Sequence, residues 1–99
     1  MTKGTTPTIR YNFSLVNTSD ISVAYMTIEQ DGQTLIEKDL TTATVGDGYI
    51  EWTLSQTETL SLGIGNVRIQ CRYKLTSGRA YASAITEASC LGILKGGEI

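Results

Sequence analysis

The chain has 99 residues, with eight basic and ten acidic side chains, a formal net charge of −2, 40% hydrophobic residues and no histidine. That is the length of one domain, which would hide roughly two-thirds of its unfolded surface on folding. The charge balance argues against a general nucleic-acid binder, which needs a basic excess to neutralise phosphates. The missing histidine removes the commonest general base and metal ligand together.

Fifteen threonines, five tyrosines and a single proline bias the chain toward strands. A first strand is predicted over 8–16, with Ile9, Tyr11, Phe13 and Leu15 on one face and Arg10, Asn12 and Ser14 on the other. Asn17-Thr18-Ser19-Asp20 reads as a turn. The second strand, 21–30, carries apolar residues on both faces (Val23 and Tyr25 against Ala24, Met26 and Ile28), so it is central or covered twice. Asp31-Gly32 is a two-residue hairpin signal, because that turn needs positive φ. A third strand then returns over 33–40.

Residues 41–48, ending in Gly46-Asp47-Gly48, read as a flexible loop. A fourth strand spans 49–54, where Ile50, Trp52 and Leu54 share a face and Trp52 is the natural core anchor. Ser55 followed by Glu58 is a capping-box pattern, and Gly63 and Gly65 end the helix early. One short helical turn near 56–62, crossing between sheets, is expected. The fifth strand alternates clearly: Val67, Ile69, Cys71, Tyr73 and Leu75 inward, Arg68, Gln70, Arg72 and Lys74 outward. Ser77-Gly78 turns the chain into a sixth strand, 79–87, with Ala80, Ala82 and Ala84 forming a small-residue face that suits close approach by another layer. A final strand is placed over 88–94. About seven short strands at regular spacing predict an all-β, immunoglobulin-like antiparallel sandwich forming a single domain over 1–99, with 1–7 and 95–99 flexible.

Few residue patterns point to chemistry. No Ser or Thr has an activating base nearby in sequence, and Gly63-Ile64-Gly65 lacks the rest of a phosphate loop. Cys71 and Cys90 suit a reducing compartment as small core residues, with a disulfide between them left open. Asp31 and Asp47 sit beside glycines as turn residues, and no closely spaced acidic series supports calcium. The sequons at Asn12 and Asn17 are chance matches in a chain without a secretory leader. No catalytic residue, cofactor or metal is therefore expected. The one local basic stripe is Arg68, Arg72 and Lys74. It reads either as an anion-binding surface or as a solvated face that discourages edge aggregation. No aromatic residue interleaves with it, as a base-stacking platform requires. Tyr11, Tyr73 and Tyr81 fall in phase with the core; Tyr25 is the tyrosine best placed for an interface.

Several segments, in order, carry a resemblance. They are Met26-Thr27-Ile28-Glu29-Gln30-Asp31-Gly32, Leu54-Ser55-Gln56-Thr57-Glu58-Thr59-Leu60, Val67-Arg68-Ile69-Gln70-Cys71-Arg72 and the end Ile93-Leu94-Lys95-Gly96-Gly97-Glu98-Ile99. With them the chain resembles small immunoglobulin-like proteins from the structural gene regions of Firmicutes siphophages and prophages. It is also similar to the N-terminal domain of the siphophage upper baseplate protein. Gly97-Glu98 departs from the pattern, where an apolar residue would follow the glycine. The resemblance implies a non-catalytic virion component of tail, baseplate or head, with other virion proteins as partners and a homo-oligomeric state. The alternative is a carbohydrate- or cell-surface-binding module. Neither nucleic acid nor membrane is expected as a partner. The polar start of the chain predicts synthesis in the cytoplasm, without a secretion signal, before incorporation into a virion.

Overall fold

The computed structural model describes residues 1–99 and contains eight strands in two antiparallel sheets. The strands are β1 (Thr8–Asn12), β2 (Ile21–Gln30), β3 (Gln33–Asp39), β4 (Thr44–Gly46), β5 (Tyr49–Thr53), β6 (Gly65–Leu75), β7 (Ala80–Ala82) and β8 (Thr86–Cys90), with one helix, α1 (Gln56–Leu60), between β5 and β6. No helix is long and apolar enough to cross a membrane.

The smaller sheet has the order β1-β5-β4, and the larger runs β3-β2-β6-β7, with β8 also paired to β6. β7 and β8 lie along the same strand, against Arg72–Lys74 and Gly65–Ile69 respectively. They are two pieces of one edge strand. This is the strand order of an immunoglobulin-like sandwich without its first strand: β1, β5 and β4 hold the B, E and D places, and β3, β2, β6 and β7/β8 the C′, C, F and G places.

Period-two alternation puts one face of each sheet into a common core. Ala24, Met26 and Ile28 of β2 meet Ile50 and Trp52 of β5 and Val67, Ile69 and Cys71 of β6 in one buried cluster. Met26 pairs with Cys71, and Ile28 with Ile69, so these side chains share the inner face. Fully burying a side chain such as Ile50 or Leu54 stabilises the fold by about 1.5–3 kcal/mol. Trp52 is completely enclosed, donates from Nε1 to the Asp39 carbonyl at 2.8 Å and meets Tyr11 edge-on.

Local chemistry sets the connections. Asp31 and Gly32 adopt φ of 53° and 79°, as the two-residue hairpin requires. The capping box forms: Ser55 Oγ accepts from the Glu58 amide at 3.1 Å, and Glu58 Oε1 accepts from the Ser55 amide at 2.8 Å. The buried Gln30 side chain donates to the Gly63 carbonyl at 2.7 Å and accepts from its amide at 2.6 Å. That clamp joins the end of β2 to the crossover, and no buried side-chain nitrogen or oxygen in the fold lacks a hydrogen-bond partner.

Three expectations need correction. β1 ends at Asn12, and Leu15, 98% exposed, is not part of its inner face. Residues 41–48 are not a structureless loop. A 3-10 turn, Leu40–Thr42, is capped by Asp39, and β4 pairs with β5 through Gly46↔Tyr49. The sixth and final strands divide at Ser83 rather than between 87 and 88. There the serine replaces a ladder partner: its amide donates to Cys71 O at 2.8 Å and its Oγ accepts from the Cys71 amide at 3.0 Å. The alanine-rich face finds no layer within the domain, since Ala80, Ala82 and Ala84 are all exposed. The segment 1–7 makes several hydrogen bonds. Lys3 N–H donates to Leu91 O, Leu54 N–H to Pro7 O, and Thr59 Oγ1 to Thr5 O.

Candidate functional site

The outer face of the larger sheet collects every residue singled out for an interface. Register places them in rows, because cross-strand partners share a face. One row reads Asp39, Tyr25, Arg72, Ala82 across β3, β2, β6 and β7. The next toward the β6–β7 turn holds Val23, Lys74 and Ala80. On the other side come Glu37, Thr27 and Gln70, and beyond them Thr34, Glu29, Arg68 and Glu87.

Charge is not distributed evenly over these rows. Arg68 is paired with Glu29 at 3.1 Å, which takes it out of the free basic set. Arg72 and Lys74 make no ion pair or side-chain hydrogen bond, although the chain carries two more acidic than basic residues. On the opposite border of the face, Glu37 is exposed and unpaired. Asp39 accepts from the Thr41 amide at 3.0 Å and from its hydroxyl at 2.5 Å. The Thr41 hydroxyl holds the Asp39 carboxyl below the usual carboxylate range, so it stays ionised at neutral pH. The face therefore has an acidic border on β3 and a basic centre on β6.

Between the two cations and Tyr25 lies a shallow depression of about 190 Å³, lined also by Val23, Tyr81 and Ala80. Tyr25 and Tyr81 are 44% and 40% exposed, and Val23 39%. The phase that Tyr81 shares with Tyr73 predicts a core position for it, and the exposure corrects that expectation. The two rings do stack, at 5.4 Å between centroids. However, the smaller sheet reaches only as far as Tyr73, through Phe13 at 5.0 Å, and Tyr81 lies past its cover. Burial raises the Tyr73 and Tyr11 hydroxyls above their ordinary value, so both stay protonated at neutral pH.

The cysteines lie elsewhere. Both are free and buried. Cys90 pairs with Gly65, whereas Cys71 lies six positions farther along β6. At about 3.3 Å per residue they are about 20 Å apart, far beyond the reach of a disulfide. Burial pushes the Cys71 thiol up to about 11, which keeps it protonated and slow to react. No three Cys, Asp or Glu side chains gather where a metal would need them.

Reading β6 alone finds Arg68, Arg72 and Lys74 but no aromatic among them; the aromatic beside Arg72 comes from β2. Sequence reasoning missed Glu37 and Asp39 as partners of the same face. Their odd-numbered phase on β3, opposite Ile36, is the signal that marks them. Comparison with protein families, with curated proteins and with solved structures gave no match.

Proposed function

We propose that this chain works without catalysis, by protein–protein assembly, as a structural component of a siphophage or prophage virion. The observation that carries the assembly reading is the outer face of the larger sheet. Its two unpaired cations, Arg72 and Lys74, stand beside exposed Tyr25 and Val23, the mix of aromatic, apolar and arginine side chains typical of interface centres. An unpaired arginine against a tyrosine adds little to the isolated fold, but becomes valuable once a partner excludes water from it. The virion assignment rests on the ordered sequence segments that resemble siphophage structural proteins. In this reading the chain is made in the cytoplasm and then built into the tail, baseplate or head.

The test is mass spectrometry of particles purified after prophage induction. Recovery in fixed ratio to tail or capsid proteins supports the reading, and the copy number gives the symmetry it obeys. Intact particles that lack the chain overturn it.

One observation favours a second reading, a carbohydrate- or cell-surface-binding module. Two part-exposed tyrosines, Tyr25 and Tyr81, border a single depression, and aromatic faces stack on sugar rings. Glycan binding that is lost in Tyr81→Ala, while particle incorporation continues, would favour this module.

A further inference from the structure

We infer that the outer face of the larger sheet is where two copies of this chain meet, as an isologous dimer in which Asp39 of each copy reaches Arg72 of the other. The inference rests on the assembly reading above and names its first partner, a second copy of the chain.

The pattern of charge on the face is self-complementary. The central row runs acid, tyrosine, arginine, alanine: Asp39, Tyr25, Arg72, Ala82. A two-fold axis parallel to the strands, between β2 and β6, turns such a row back onto itself in reverse order. Tyr25 of one copy then lies over Arg72 of the other, twice, in the geometry of a cation over an aromatic face. β3 of each copy lies over β7 of the other, so Asp39 comes to rest over Ala82, one strand away from Arg72 in the same row.

Three further features fit that occupant. β7 presents Ala80 and Ala82 outward, side chains small enough to admit an approaching acidic strand. Nothing within the domain covers them. The cations meant for the second copy are those left unpaired, whereas Arg68, farther from the centre of the face, is already neutralised by Glu29. Finally, Val23 and Tyr25 supply an apolar centre between the charged borders.

The size of the face sets the strength. Four strands about 4.8 Å apart and ten residues long make a surface on the order of 600 Å². A standard stable interface buries about 800 Å² on each partner. The dimer is therefore weak and concentration-dependent, and because its pairs are charged it loosens as salt rises.

The experiment is sedimentation equilibrium on the intact chain over a wide concentration range, at low and high salt, with Arg72→Glu, Asp39→Arg and their mixture. The native chain is expected to approach twice its 10.7 kDa mass at high concentration and low salt. Each single variant is expected to dimerise at least about tenfold more weakly, because like charges then oppose each other at both symmetric contacts. Mixing the two variants restores association, since their heterodimer sets the introduced glutamate against the introduced arginine at one contact and keeps the native Asp39 against the native Arg72 at the other. That rescue separates the inference from mere damage to the fold. A native chain that stays monomeric at every concentration overturns the dimer, and so does a dimer that neither variant weakens. In a purified sample neither result bears on particle incorporation, so the dimer and the virion reading fail separately.

Discussion

The two outer faces of the sandwich use the same side chains in opposite ways. On the smaller sheet, Arg10 lies over the Tyr49 ring at 4.0 Å and pairs with Glu51 at 2.9 Å, while the Tyr49 ring covers Gly46. Thr8 and Thr53 hydrogen-bond across the strands at 2.9 Å. Arginine, tyrosine and carboxylate close on one another there. On the larger sheet, Arg72 and Tyr25 are also cross-strand neighbours, but the nearest carboxylate along their row, Asp39, stands on the far side of the tyrosine. The order across the strands makes the difference. Acid beside arginine satisfies the domain itself, whereas acid and arginine held apart by tyrosine leave the arginine without a carboxylate, Asp39 turning to Thr41 instead.

The largest expected effect removes the support both faces share. Trp52→Ala empties the centre of the core and breaks the Nε1 hydrogen bond to Asp39. It should cost about 3–5 kcal/mol, enough to consume much of an ordinary domain's stability. Urea unfolding followed by far-UV circular dichroism checks this; a loss under about 1 kcal/mol would mean that the sheets do not depend on this side chain.

A smaller effect tests the joint between the sheets. Glu58 Oε1 accepts from Ser55 and sits 3.0 Å from Lys38 Nζ on β3. Its partial burial opposes ionisation, but the Ser55 amide and the Lys38 ammonium outweigh that and hold the carboxyl below its ordinary value. A lowered folded value stabilises the fold above the unfolded value, about 4.3, and that stability disappears as pH falls through the folded one. Glu58→Gln should therefore lose about 1 kcal/mol at neutral pH. It should also show a shallower decline in urea midpoint than the native chain between neutrality and acid. Parallel declines would remove Glu58 from the account.

The closed face predicts a modest stability change on each side of its stack. At Gly46 an added methyl would lie 2.1 Å from the Tyr49 ring, so Gly46→Ala pushes the ring, and Arg10 with it, off the sheet. The expected cost is about 1 kcal/mol, and Arg10→Ala should lose about half as much. Thermal melts of the two variants and the double variant sharpen the point, because the double should cost less than the sum if the stack acts as a unit.

The open face predicts the smallest change in stability. Arg72→Ala should move the urea midpoint of the dilute, monomeric chain by no more than about 0.5 kcal/mol equivalent. A larger loss would show that Arg72 serves the fold, and the contrast between the faces would disappear.

Much of the sandwich is legible in sequence because hydrophobic period two reports directly on a half-buried strand. β2, β3, β5 and β6 fall within a residue or two of their predicted spans, and the Asp31-Gly32 hairpin and the Ser55–Glu58 box depend only on neighbours along the chain. The misses come where distant segments decide. β4 exists because Gly46 lets the Tyr49 ring lie across it, and the edge strand breaks at Ser83 because Cys71, twelve residues away, accepts and donates there. Tyr81 carries the right phase for burial, but nothing in its own segment shows that the opposing sheet stops short of it.

Alternation along the chain was enough to mark the inward faces of β5 and β6, and contacts a few residues apart were enough for the tight hairpin and the start of the helix. Which strands became neighbours was settled by the packing of the two sheets. That choice kept Cys71 and Cys90 apart, set Tyr25 beside Arg72 and placed Asp39 across the tyrosine from it. The physical reason is that strand order is set by burying two sheets' worth of apolar side chains in one core, a global condition that no single segment contains.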